Sequence, residues 1–298
     1  GAASIPRSVK VYSRGRPGVS DTYFIGIGID EYGHLSDLRF PAQDVADIRA
    51  CFADLAVGQF FSLDSIAQPE LLRMAPDNLV GEIEGFVAKA SPDDRVIFYF
   101  AGHGGVSRDQ GPFLAMRDTS VNNLAGTSVL VKDVVQALAR SPARTRFVMT
   151  DACADNPVIA TGPTPSSGSV AGTQSRTTLE PRPFTAVATA ETSGVRFENF
   201  FAETVDAGGA TVIAAAAEGE DAHEDTAIRN GVFTFALLEG LRSGRADIDG
   251  DASVSAEEAA AYTAERVRAL TGGAQQPVVR QRPLGVGAPI ARAGEVAV

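Results

Sequence analysis

The chain has 298 residues, 44% hydrophobic and 21% charged, the size and make-up of one large globular α/β domain or two modest ones. Acidic residues outnumber basic ones 37 to 26, for a net charge of −11. That balance argues against nucleic acid, whose phosphates need clustered Lys and Arg, and favours basic peptides as partners. With only Cys51 and Cys153 there is no disulfide framework, and no apolar stretch reaches the length of a membrane span. The chain reads as cytoplasmic, although its first ten residues, GAASIPRSVK, leave an export signal lost upstream an open question.

Residues 1–20 are rich in Gly, Pro, Ser and Arg without periodicity and read as a flexible arm. TYFIGIGI, Thr22–Ile29, is the first buried strand. Asp44–Leu55 follows as a helix, with Val45, Ile48, Cys51, Phe52 and Leu55 at helical spacing, and Cys51 is a core residue of that helix. A strand at Phe61–Ala67 and a helix at Asn78–Ala90, capped by Asp77, come next.

Arg95–Gly105, RVIFYFAGHGG, is the stretch that carries chemistry. Its apolar run is β-branched and aromatic, as in a strand covered on both faces, and it ends on His103 between glycines. A helix over Val129–Ala139 leads to a second strand of the same design, Arg146–Cys153, ending Asp151-Ala152-Cys153. Alternating strands and helices imply right-handed βαβ units and a mostly parallel sheet with helices on both faces. Ligand sites of such sheets lie beyond the carboxyl ends of the strands, where one histidine and one cysteine can meet.

Residues 154–183 change to small, polar, Pro/Gly-rich composition, a long loop. Strand character resumes at Phe184–Ala190 and Gly209–Ala217. Helices at Gly231–Arg242 and Ser255–Leu270 and a last strand at Gln276–Arg280 follow, before a loose tail from residue 283.

A thiol becomes an effective nucleophile when a nearby imidazole assists its ionisation, which assigns Cys153 as nucleophile and His103 as base. The N–H groups of Gly104 and Cys153 are oxyanion-hole candidates, because no side chain obstructs approach there. His34 and His223 lie in polar, loop-like segments and read as solvated. Side chains two apart on a strand share a face, so Asp151 belongs on the Cys153 side. A carboxylate there raises the thiol pKa, unhelpful unless it serves to bind a basic group.

FIGIGIDEY followed by LRFPAQDVADI, then FYFAGHGG, VMTDAC, and TVIAAAAEGEDAHE followed by GVFTFALLEGL, in this order, resemble the caspase-like cysteine peptidases, on their metacaspase and bacterial (orthocaspase) branch. His103 and Cys153 stand 50 residues apart, the spacing familiar from caspases. The resemblance implies a caspase-like three-layer sandwich over residues 21–282. Its large-subunit part would be 21–153, its small-subunit part 184–282, with the 154–183 loop at the junction and a 283–298 tail.

The resemblance also implies a thiol endopeptidase needing no cofactor for its chemistry. Asp151, two before the cysteine, replaces the Gln of animal caspases as in metacaspases, which cut after Arg or Lys. Asp44 matches a second acid of their S1 pocket, and its other role is that of an acid at a helix N-terminus. The chain departs from metacaspases after the nucleophile, where Ala154-Asp155-Asn156 replaces their Ser-Gly. The alternatives are a related peptidase with another P1 preference, a catalytically silent caspase-like module that binds partners, and a flavodoxin-like binding protein. The last lacks a phosphate-cradling glycine pattern after the first strand.

Two further expectations attach to this reading. Asp247, Asp249, Asp251 and Glu258 occupy positions 1, 3, 5 and 12 of a calcium loop, with Ala252 where glycine is usual at position 6. The same residues also read as a capping box, Ser255 to Glu258. The acidic run Glu218, Glu220, Asp221, Glu224, Asp225 is either a solvated loop or a holder of basic substrate or a cation. In the 154–183 loop a basic P1 leaves Arg176 and Arg182 as self-cleavage points, and Pro183 disfavours the second.

Overall fold

The structure, a computed structural model, describes residues 21–55, 58–64, 74–107, 110–152, 179–181, 209–217, 220–280 and 289–292. Its centre is a six-stranded sheet in the order β13-β9-β7-β3-β1-β2. The strands are β1 (Thr22–Gly28), β2 (Gly58–Asp64), β3 (Arg95–Ala101), β7 (Thr145–Asp151), β9 (Thr211–Ala214) and β13 (Val278–Arg280). All pair in parallel except β13, which runs antiparallel to β9.

The uninterrupted apolar runs of β1, β3 and β7 follow from burial on both faces. Ile25, Ile27, Val96, Phe98, Phe100 and Val148 pack on one face with α2 (Pro76–Val87) and α4 (Val131–Ala139). Phe24, Ile97, Tyr99, Phe147 and Met149 pack on the other with α1 (Pro41–Leu55), α5 (Val232–Ser243) and α6 (Ala256–Thr271). Each fully buried phenylalanine contributes about 1.5–3 kcal/mol, and Phe24, Phe98, Phe100 and Phe147 are all in this class. Gly28 lets α1 close onto β1, since a Cβ there would stand 2.4 Å from the Pro41 carbonyl oxygen. Cys51 is buried in α1 as expected.

The long helices and central strands match the sequence reading to within a few residues. Asp77 lies in the first turn of α2; the N-cap is Ala75, because Pro76 fixes the first helical position. The span read as a helix from Val129 begins with a strand, β6 (Ser128–Leu130), and turns helical at Val131. β6 pairs with β5 (Gly111–Ala115), which pairs with β4 (Gly104–Ser107), and a short 3-10 turn and α3 (Leu124–Thr127) precede β6.

Residues 289–292, read as part of a loose tail, form β14 (Pro289–Arg292). It pairs antiparallel with β12 (Ser253–Ser255) and buries Ile290. Four residues within a Gly/Pro/Ala-rich run are too few to show a period. β8 (Leu179–Pro181) joins β10 (His223–Asp225) and β11 (Asn230–Gly231) in a third small sheet. The expected strand at 184–190 and the 1–20 arm lie outside the described residues.

Candidate active site

β3 and β7 are neighbours in parallel register, Ala101 opposite Asp151. His103 and Cys153 are each the second residue after that pair. Cys153 itself, like Arg176, lies outside the described residues. β3 is followed by Gly102, whose φ of 155° and closeness to the Tyr32 hydroxyl (2.6 Å from a would-be Cβ) leave no room for a side chain. The Gly102 N–H donates to the Asp151 carbonyl (3.2 Å), tying the two strand ends together.

His103 is buried and held at three points. Its backbone N–H donates to the Tyr32 hydroxyl (2.8 Å), and its carbonyl accepts from the Ala115 N–H (2.9 Å). Its Nε2 stands 2.8 Å from the Ser36 carbonyl oxygen and 3.4 Å from the Ser36 hydroxyl. A carbonyl only accepts, so Nε2 carries the proton; in a neutral imidazole the lone pair is then on Nδ1, the nitrogen that can take a proton. The Tyr32 ring lies against the imidazole with centroids 4.8 Å apart. Tyr32 is anchored in turn by its N–H to Asp37 Oδ1 (2.9 Å). Ser36 and Tyr32 were not legible in the sequence, since both act through loop geometry between β1 and α1.

Gly104 opens β4 opposite Leu114. Because Ala115 donates to His103, the alternation of an antiparallel ladder puts Gly104 at a non-hydrogen-bonded position, its N–H turned away from β5. That orientation suits an oxyanion donor.

Asp44 and Asp151 are both fully buried. Asp44 sits in the first turn of α1, and its Oδ1 accepts from the Gly231 N–H (2.9 Å) and from Asn230 Nδ2 (3.1 Å). Asn230 also reaches Asp47 Oδ2 (2.9 Å). Asp151 Oδ2 accepts from the Thr234 hydroxyl (2.6 Å). Two acids 107 residues apart in sequence thus both bond to the short stretch Asn230, Gly231 and Thr234 at the start of α5.

Three acids of the acidic run, Glu220, Glu224 and Asp225, bond within the fold. Glu224 is buried on β10 and accepts from the backbone N–H groups of Arg39 and Phe40 just before α1. Glu220 binds Gln276 through both carboxylate oxygens, and Asp225 closes the following turn through the Ala227 N–H. Glu218 lies outside the described residues. His34 is exposed; His223 is half-buried on β10, its N–H donating to Gln275.

In the 247–258 loop, ligand oxygens of Asp247, Asp249 and Glu258 lie within 4.8 Å of one another, the one such acidic or metal-ligating group among the described residues. Asp247 accepts from the N–H groups of Gly250, Asp251 and Ala252. Asp251 turns its Oδ1 to the Ser253 N–H (2.9 Å). Ala252 adopts φ 65°, the left-handed conformation for which position 6 of a calcium loop normally uses glycine. The capping box is also present, Ser255 and Glu258 bonding reciprocally. Glu258 thus belongs both to the cap and to the acidic group.

A mostly parallel sheet between helix layers, with His103 just past the end of the strand that neighbours β7, is the architecture of the caspase-like fold. The caspase domain family matches residues 25–285, and the chain belongs to it. Members of that family are cysteine peptidases acting on protein substrates. A crystal structure of a Geobacter sulfurreducens protein superposes with a TM-score of 0.57 at 15% identity, covering 92% of this chain and all of that one. Caspase-1 from Spodoptera frugiperda superposes with a TM-score of 0.50 at 12% identity, covering 94% of this chain and 96% of the other. At such identities these two show the fold alone. No curated protein matches the chain in sequence. Among the described residues, no helix is long and apolar enough to cross a membrane.

Proposed function

We propose that this protein is an endopeptidase that cuts after Arg or Lys with a Cys153–His103 dyad. The observation that carries the reading is the 2.8 Å contact between His103 Nε2 and the Ser36 carbonyl, from which the proton on Nε2 and a basic Nδ1 follow. The Cys153 thiol passes its proton to Nδ1 as sulfur bonds to the scissile carbonyl carbon, and the N–H groups of Gly104 and Cys153 receive the developing oxyanion. Collapse breaks the C–N bond, His103 returns the proton to the leaving amine, and water hydrolyses the thioester.

Asp44 and Asp151 form the floor of the S1 pocket. Both carboxylates are withdrawn from water, where a charge-assisted pair with a P1 guanidinium or ammonium is stronger than at the surface. Calcium binds through Asp247, Asp249, Asp251 and Glu258; the convergence of three of these acids and the left-handed Ala252 support that assignment. A basic P1 directs self-processing to Arg176-Thr177, on a segment tethered to the nucleophile.

The test is a fluorogenic peptide panel with Arg, Lys, Asp or Ala at P1, with and without millimolar calcium, on wild type, Cys153→Ala and His103→Ala. Turnover by wild type alone, fastest on the P1-Arg and P1-Lys peptides and slow on P1-Ala, is the expected result. Faster cleavage of P1-Asp peptides would overturn the specificity, and turnover by either variant would overturn the dyad.

A further inference from the structure

Thr234, in the first turn of α5, is fully buried between two polar groups of the sheet. Its hydroxyl oxygen stands 2.6 Å from Asp151 Oδ2 and 2.5 Å from the Tyr99 phenol oxygen. Tyr99 and Asp151 come from neighbouring strands, β3 and β7, and all three groups have no measurable exposure. The Thr234 hydroxyl donates its single proton to Asp151, so its lone pair receives the proton of Tyr99. The chain Tyr99 → Thr234 → Asp151 therefore has one direction, set by the acceptor at its end.

We propose that Thr234, backed by Tyr99, is a positioning residue that orients the Asp151 carboxylate and thereby sets the preference for a basic P1 side chain. The proposal rests on the reading of Asp151 as an S1 acid. Packing alone gives no reason for a hydroxyl here. Val232, Phe233, Ala236 and Met149, from the same helix and the strand it covers, are apolar and buried. Burial alone does not force a threonine hydroxyl into such a bond either, for the Thr22 and Thr263 hydroxyls are as buried and make none. In this dry setting a hydrogen bond to the carboxylate is strong, and losing it loosens the hold on the carboxylate's rotamer.

The second acid shows why the device is separable. Asp44 hangs on the main-chain N–H of Gly231, which no side-chain substitution removes, whereas Asp151 receives a side-chain hydroxyl that can be deleted. Binding of P1 is felt equally in the ground and transition states, so a misoriented Asp151 raises KM and leaves kcat nearly unchanged.

The experiment measures kcat and KM separately with P1-Arg and P1-Ala peptides on wild type, Asp151→Asn, Thr234→Val, Thr234→Ser and Tyr99→Phe, with each variant's melting curve. Loss of one charge-assisted hydrogen bond corresponds to about a tenfold rise in KM for P1-Arg in Thr234→Val. The P1-Ala constants stay as in wild type, Thr234→Ser restores KM to within about twofold, and Tyr99→Phe moves KM in the same direction by less. The proposal is overturned if Thr234→Val keeps wild-type selectivity while Asp151→Asn loses it. It is equally overturned if serine fails to rescue, or if both peptides suffer alike. Should Thr234→Val not fold, Tyr99→Phe decides, and wild-type KM for P1-Arg in that variant overturns the proposal. Unchanged P1 selectivity in Asp151→Asn, or a wild type that does not favour P1-Arg, removes the S1 reading itself and the proposal with it.

Discussion

Ser36 serves His103 through its carbonyl, which no side-chain replacement removes. Ser36→Ala is therefore expected to keep turnover within about twofold, because the hydroxyl at 3.4 Å is the weaker of its two contacts. Tyr32→Phe is different. It strips the acceptor from the buried His103 N–H, and an unsatisfied buried donor costs about 1–3 kcal/mol. A fall in kcat of about tenfold, with the circular dichroism spectrum unchanged, is the expected outcome. Wild-type kcat in Tyr32→Phe would remove that residue from the site. The two cysteines should also part company chemically. Burial pushes the Cys51 thiol up to about 11, with Arg242 beside it pulling only part of the way back. At pH 8 roughly one molecule in a thousand carries the Cys51 thiolate. Native Cys153→Ala protein should thus resist alkylation at pH 8 and take up one label after unfolding, as read by intact mass.

At the scale of elements, the entry to α6 joins a helix cap to an acidic loop. Burial would raise the Glu258 pKa, but hydrogen bonds from Ser255, Asp249 and Ile248 outweigh it and hold the carboxyl below its ordinary 4.5. A depressed acid stabilises the fold fully above the ordinary value and loses that contribution as pH falls through the lowered one. The melting-temperature gap between wild type and Glu258→Gln should accordingly be open at pH 7 and shrink on acidification below 4.5. Ala252 is a second lever here. Alanine held in the left-handed region costs about 1 kcal/mol relative to glycine, so Ala252→Gly should raise the melting temperature. With calcium bound as proposed, the same change should tighten the metal in calorimetry and Asp247→Ala should abolish it. Binding that survives Asp247→Ala and Asp249→Ala would place the metal elsewhere. The long elements were legible because apolar spacing over seven or more residues leaves little choice between strand and helix. β4, β8, β11, β12 and β14 were not, since two to four residues carry no period and their pairing depends on partners far along the chain.

For the whole molecule, the mostly parallel sheet and the strand ends that carry His103 and Asp151 were readable from the sequence, while the contacts that hold those residues were not. His103 and Asp151 stand at the ends of adjacent strands as RVIFYFAGHGG and RFVMTDAC implied. The carbonyl of Ser36 and the Tyr99–Thr234 pair could not be found, because nothing local to those residues marks them; they matter only once α5 and the β1–α1 loop close on the sheet. Self-processing belongs to this scale too. Active enzyme incubated with calcium should show two masses that sum to the intact chain plus one water, split after Arg176, and Arg176→Ala should remain one chain. A single uncut chain alongside full peptide turnover would dismiss it.

The sheet order carries a consequence of its own. β7, the last strand before the segment that holds Arg176, is flanked by β3 on one side and by β9 on the other. β9 and β13 lie beyond that segment in the chain, and so does α5, which covers strands that precede it. A break between Ala152 and Leu179 therefore frees no piece: the two fragments share one hydrophobic core and one hydrogen-bonded ladder. Two polypeptides divided in that interval, produced separately and mixed, should find each other and assemble into the same sheet, held by the surface that a single chain buries within itself.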